Sequence, residues 1–169
     1  MKVLETDRLL IRWLTIDDAP FILKLVNEPS WLRFIGDRGV KNVEDARNYL
    51  LKGPLAMYER LGFGLCLAAL KESGMPIGMC GLIKRGTLPD VDIGFALLPE
   101  FWGHGYGLEA ARAVLDHGKS QFGLTRIVAI TSPDNVDSIS LLAKAGFLFE
   151  KVVSLTDGEP AVNLYACEI

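Results

Sequence analysis

Three glycines, Gly103, Gly105 and Gly107, alternate in Trp102-Gly103-His104-Gly105-Tyr106-Gly107, between a strand-like run and a long helical pattern. No other stretch limits the fold as tightly. Glycine lets a chain turn sharply and lets its backbone approach a ligand closely. The pattern that follows has apolar residues at Leu108, Ala111, Leu115, Gly118 and Phe122, spaced 3, 4, 3 and 4 apart, which is the rhythm of one buried helix face. The first N–H groups of a helix have no partners inside it and lie at its positive end. A glycine turn feeding such a helix is an anion site suited to a pyrophosphate.

The rest of the chain supplies a sheet for that helix. Residues 8–14 (RLLIRWL) read as a strand. Asp17 is placed to cap a helix to about residue 27, with Phe21, Ile22, Leu25 and Val26 facing the core. Residues 30–41 read as irregular. Asn42 then caps a helix that is expected to run to about residue 60 and to end at Gly62. Residues 63–70, 76–84 and 91–98 read as three strands joined by turns. After the glycine junction, 126–131 is a strand rich in β-branched residues, and 135–145 is helical up to Gly146. Two final strands, 147–155 and 161–167, flank the hairpin signal Asp157-Gly158. This is not the strict alternation of a doubly wound fold. The expectation is one α+β domain over residues 1–169, a mostly antiparallel central sheet of about seven strands with helices on both faces.

Charge and composition narrow the function classes. A net charge of −3 argues against broad binding to nucleic acid or anionic membranes, which need basic surfaces. The three cysteines, Cys66, Cys80 and Cys167, are widely spaced among apolar neighbours and read as buried free thiols. The two histidines, His104 and His117, form no metal-ligand pattern, so no metal is expected. The first residues mix charges and lack a signal-peptide core, and no apolar run approaches the ~20 residues that span a bilayer. These features read as a cytoplasmic protein.

Two phosphate-binding patterns fit the junction poorly. Gly105-Tyr106-Gly107-Leu108-Glu109-Ala110 has the GxGxxG/A form, but a dinucleotide site needs an acidic residue about 20 residues on. Residues 124–130 offer Arg126 and no acid. Gly118-Lys119-Ser120 ends like a P-loop, yet Ala113 stands where its first glycine is needed. A blander reading is that the glycines only let the helix pack closely on the sheet.

A third pattern covers essentially the whole chain. Asp92-Ile93-Gly94-Phe95-Ala96-Leu97-Leu98-Pro99-Glu100-Phe101-Trp102-Gly103-His104-Gly105-Tyr106-Gly107-Leu108-Glu109-Ala110 resembles the signature (D/E)IG(F/Y)xLxPxxWGxGYxxEA of the ribosomal-protein N-acetyltransferase (RimJ/RimL-like) branch of the GNAT superfamily. Asn135, Ser138, Leu142, Lys144, Gly146 and Phe147 match its second block, and Glu5-Thr6-Asp7-Arg8-Leu9-Leu10-Ile11-Arg12 resembles its opening, ETxRLxLR. Trp102 replaces the Gln/Arg of the general GNAT pattern, as is familiar in this branch.

The resemblance implies a GNAT fold whose sheet splays at the cofactor site, and transfer of acetyl from acetyl-CoA to a primary amine by direct attack. The implied partners are acetyl-CoA and an amine acceptor, a peptide or a small molecule, with the chain a monomer or homodimer. Phe95 and Leu97 on the strand, residues 102–108 of the turn (Trp102, Gly103, His104, Gly105, Tyr106, Gly107 and Leu108), Asn135 and Ser138 are the implied cofactor contacts. An alkylammonium, with a pKa near ~10, must lose a proton to become a nucleophile. Asp92 is the first candidate base and Glu100 the second; a solvated strand-face carboxylate is the plainer reading of Asp92. Ser138 is the candidate to contact the leaving thiolate. Many GNAT enzymes carry a tyrosine general acid where Leu142 stands here, so that role is vacant. Trp31, Phe34, Arg38 and Tyr49 are candidates to line the acceptor site. A small-molecule or antibiotic acetyltransferase and a catalytically silent acyl-CoA-binding module remain alternatives.

Overall fold

A computed structural model of the chain describes residues 2–169. The chain runs β1 (Lys2–Glu5), β2 (Leu9–Trp13), α1 (Ala19–Val26), α2 (Pro29–Phe34), α3 (Val43–Leu50) and α4 (Ala56–Leu61). It continues through β3 (Leu65–Leu70), β4 (Pro76–Ile83), β5 (Asp92–Leu97), α5 (Tyr106–Phe122), β6 (Arg126–Thr131), α6 (Val136–Lys144), β7 (Leu148–Val153) and β8 (Val162–Glu168). All eight strands lie in one sheet, in the order β1-β2-β3-β4-β5-β6-β8-β7. Every neighbouring pair is antiparallel except β5 and β6.

Alternation along the central strands feeds two cores. On β3, Cys66 and Ala68 face the side covered by Ala110, Ala111, Val114 and Leu115 of α5 and Leu142 of α6. Leu67 and Ala69 face the opposite side, against Ile22 and Leu25 of α1, Trp31 of α2 and Leu50 of α3. A strand buried on both faces reads as a continuous apolar run, as Leu65–Leu70 does. Helices thus cover both faces, as expected. No helix among the described residues is long and apolar enough to cross a membrane.

Several boundaries differ from the sequence reading. The sheet has eight strands rather than about seven because Lys2–Glu5 pairs antiparallel with β2 at its outer edge. A four-residue edge strand needs a neighbour on one side only and is too short to show alternation. α1 begins at Ala19, after a 3-10 turn over Ile16–Asp18. Asp18, not Asp17, organises that start: it accepts from the Thr15 amide at 2.8 Å and from both Arg12 Nη atoms at 2.8–2.9 Å. Pro29–Phe34 is a helix where an irregular stretch was expected, with Pro29 in its first turn, where a missing N–H costs little. The helix capped by Asn42, whose side chain accepts from the Asp45 amide at 2.8 Å, does not run unbroken. It widens into a π-turn over Leu51–Leu55, with Pro54 inside, because proline removes a helix donor. Gly62 ends α4 with a φ of 76°.

The topology places one seam beneath the glycine turn. β5 pairs with β4 along its whole length. Its register with β6 holds at a single pair, Asp92 with Val128, while β6 pairs fully with β8. Beyond Asp92 the two parallel strands part.

Candidate active site

The parting of β5 and β6 opens a cavity of about 1150 Å³. One wall is β5 from Ile93 to Leu97, the other Ile130, Thr131 and Ser132. The glycine turn and α6 close one end, and α2 with Tyr49 of the last turn of α3 line the other. Phe95, Leu97, Asn135 and Ser138 all line this space.

The turn is built by local bonds. A 3-10 turn over Pro99–Phe101 reverses the chain, and the Trp102 indole Nε1 donates to the Leu97 carbonyl at 2.9 Å. Gly103 and Gly105 have φ of 75° and 80°, a region that costs other residues about 1–2 kcal/mol. Nothing lies within 4 Å of a Cβ built on Gly103, whereas one on Gly107 meets Leu141 Cδ1 at 2.8 Å. The two readings of these glycines therefore divide: Gly103 and Gly105 make the turn, and Gly107 lets α5 approach α6. The amides of residues 103–108 have no acceptor within the described residues. They stand at the positive end of a 17-residue helix, and exposed donors there suit a phosphate-bearing ligand. The residues present thus fit the pyrophosphate of a coenzyme A.

Glu109, in the first turn of α5, carries a charge that would oppose such an anion. It is engaged from the other side. Thr6 Oγ1 donates to it at 2.5 Å, the Arg8 amide at 3.0 Å and Arg8 Nε at 2.7 Å. Burial favours its protonated form, but these donors prevail and hold the carboxyl below its usual range. Arg8 also donates Nη1 to the His104 carbonyl at 2.8 Å and lies 4.5 Å from the Tyr106 ring centre. Arg8 is a buttress of the turn that was not singled out from the sequence. Its signal was the opening block, conspicuous as a pattern but silent about what it touches.

The His104 ring is exposed and does not line the cavity; between two left-handed glycines its carbonyl is engaged by Arg8, and its amide belongs to the unpaired run. One expectation is corrected: Glu100 is outside the cavity. It is half exposed and pairs with Lys24 at 3.3 Å. Its own amide and Lys24 hold its carboxyl low, the wrong direction for a base working near neutrality.

Asp92 is in the cavity wall yet has 0% exposure, so the reading as a solvated carboxylate does not hold. Its Oδ2 accepts from Arg85 Nε at 3.1 Å, and its buried Oδ1 has no partner. Burial raises its pKa against the pull of Arg85. Ser138 is half-buried; its amide donates to Asn135 Oδ1 at 3.3 Å, so Asn135 caps α6 and lines the cavity together. No hydrogen bond within the described residues occupies the Ser138 hydroxyl. Leu142 is 1% exposed and packs into the core; the neighbouring Leu141 faces the cavity. Position 142 brings no polar group to the site.

Trp31, Phe34, Arg38 and Tyr49 line the far end of the same cavity. Arg85 joins them there and was missed from the sequence, because it reaches Asp92 across the turn between β4 and β5. A second cavity of about 630 Å³ adjoins this end and shares Arg38, Tyr49, Leu65, Ile83 and Arg85 with the first. The thiols are free and buried as expected. Burial pushes Cys66 up to about 12 and raises Cys80 and Cys167 as well, and none lines the cavity.

Comparisons with known proteins bear on the family and the fold. The family model described as an acetyltransferase (GNAT) domain matches residues 8–148. An uncharacterized N-acetyltransferase, YoaA of Bacillus subtilis, is 31% identical over 153 residues, covering 89% of this chain and 85% of that protein. Among solved structures, an acetyltransferase from Agrobacterium tumefaciens superposes with a TM-score of 0.84 at 25% identity, over 98% of this chain and 94% of that one. A structure described as RimL, a ribosomal L7/L12 alpha-N-protein acetyltransferase in complex with coenzyme A, gives 0.83 at 19% identity, over 100% and 98%.

Proposed function

Since the chain belongs to the GNAT acetyltransferase domain family, we propose that it moves the acetyl group of acetyl-CoA to a primary amine held at the Trp31–Tyr49 end of the cavity. The observation that carries this reading is the run of unpaired amides at residues 103–108, at the mouth of the gap between β5 and β6. The coenzyme A named in the RimL structure, which shares this fold, supports the choice of ligand.

Acetyl-CoA supplies an activated thioester, so no enzyme nucleophile is required. The amides of 103–108 bind phosphate, and the free edge of β5 offers backbone groups to the extended arm. Asp92 removes the ammonium proton, directly or through a water. A carboxyl raised by burial is tuned toward that task. The Ser138 hydroxyl donates toward the leaving sulfur, orienting rather than acting as a bulk acid.

The test is release of CoA thiol with a panel of peptide and small amines, followed by mass-spectrometric detection of the acetylated product. Turnover with at least one amine supports the enzyme. A second reading is favoured by one observation, the buried apolar Leu142 where a phenol is often found: a silent acyl-CoA-binding module. Tight acetyl-CoA binding without turnover across the panel selects it.

A further inference from the structure

The second cavity has a charge opposite to that of the whole chain. Its lining holds three cations, Arg38, Lys52 and Arg85, and one carboxylate, Asp45, in a chain of net charge −3. Asp45 is engaged by the Lys41 amide at 2.9 Å. Asp37, beside Arg38, is held by Lys41 at 3.2 Å and by the Gly39 amide at 2.8 Å. Asp37 is thus paired with Lys41, and the three cations of the lining outnumber the two carboxylates that face them, Asp45 and the Asp92 that pairs with Arg85.

The donors, by contrast, are free. Arg85 gives Nε to Asp92, which fixes the guanidinium and leaves both Nη groups without a partner. Arg38, Lys52 and the Tyr49 hydroxyl have no hydrogen bond or ion pair among the described residues. Burial raises the Tyr49 phenol, and the Arg38 and Arg85 charges pull it back, so both guanidiniums bear on that hydroxyl. Like charges gathered at one cavity repel, and an anion relieves that cost. A guanidinium fork with a phenol beside it suits a planar carboxylate.

Arg38, Tyr49 and Arg85 line the first cavity as well as the second. A molecule whose amine lies in the first cavity can therefore bring an acid of its own to these three groups. We propose that the acceptor is an amine that also carries a carboxylate, bound by Arg38, Arg85 and Tyr49. This rests on the acetyl-transfer reading above and adds the acceptor's chemical class.

The experiment compares acids with their amides. One arm uses ω-amino acids of graded length against their carboxamides; the other uses peptides with Asp or Asn as second residue. The better arm tells a free amino acid from an acidic peptide end. In that arm kcat/KM for the acid exceeds that for the amide at least ~10-fold, and added salt shrinks the ratio. Arg38→Gln collapses the ratio to within about threefold, and Arg38→Lys keeps part of it. Equal rates for acids and amides overturn the inference and leave acetyl transfer standing. Absence of turnover with every amine counts against acetyl transfer itself, and glutarate then probes the side cavity alone. Glutarate raising the Tm of the wild type but not of Arg38→Gln supports the carboxylate site; no shift in the wild type overturns it.

Discussion

Asp92 shows how much one residue depends on its surroundings. As a letter it is a strand carboxylate; in the fold it is a sealed acid with Arg85 on one oxygen and nothing on the other. Burial makes the folded chain hold the Asp92 proton more tightly than the unfolded chain does. Stability is therefore lost as pH rises from the ordinary carboxylate range through the raised value, and is level above it. Asp92→Asn removes that loss: its Tm should exceed the wild type's at neutral pH, with the gap closing in acid. Turnover should fall by ~10²–10⁴-fold. The acid limb of the kcat/KM profile, which reports deprotonation of the base, should vanish. Wild-type turnover with the limb intact would place the base elsewhere. The sequence made Asp92 a candidate through its position before Ile93-Gly94. It gave no hint of burial or of Arg85, since both arise from the pairing of β4 with β5.

At the scale of elements, the α5 unit was legible and its support was not. Alternating glycines and a 3-4 apolar rhythm placed the helix within two residues of its observed start. The contacts that stiffen the turn come from about a hundred residues away, through Arg8, and a local pattern has no access to them. Arg8→Ala should raise the acetyl-CoA Kd several-fold by calorimetry, with kcat at saturation within about twofold. Loss of kcat at unchanged Kd would contradict the buttress role. Gly105→Ala forces a side chain into the left-handed region and sets its methyl 3.3 Å from Arg8 Nη2. It should cost about 1–2 kcal/mol by urea denaturation and weaken acetyl-CoA binding. The missed elements share other causes: β1 is too short for a period, and the break at Pro54 is a tertiary compromise inside an otherwise helical run.

For the whole molecule, three sequence blocks far apart in the chain converge on one seam, which is why the fold class was readable where the acceptor was not. The glycine-turn end of the cavity is made of backbone, and backbone demands glycine, proline and a helix start in fixed order. The far end is made of side chains from α2, α3 and the loops beside them, where many sequences satisfy the same core. Saturating acetyl-CoA should raise the Tm. At a hundredfold excess over Kd the gain is about 2.7 kcal/mol, or about 5–10 °C for a chain of this length. No shift would remove the basis of the functional reading.

The single register pair between β5 and β6 has a further consequence. A sheet normally has two outer margins, and this one carries two more in its interior. Each is a row of amides and carbonyls of the kind that recruits stray strands and seeds aggregation. α6 and the glycine turn close one end of the gap, which restricts the approach of a foreign strand to these interior margins.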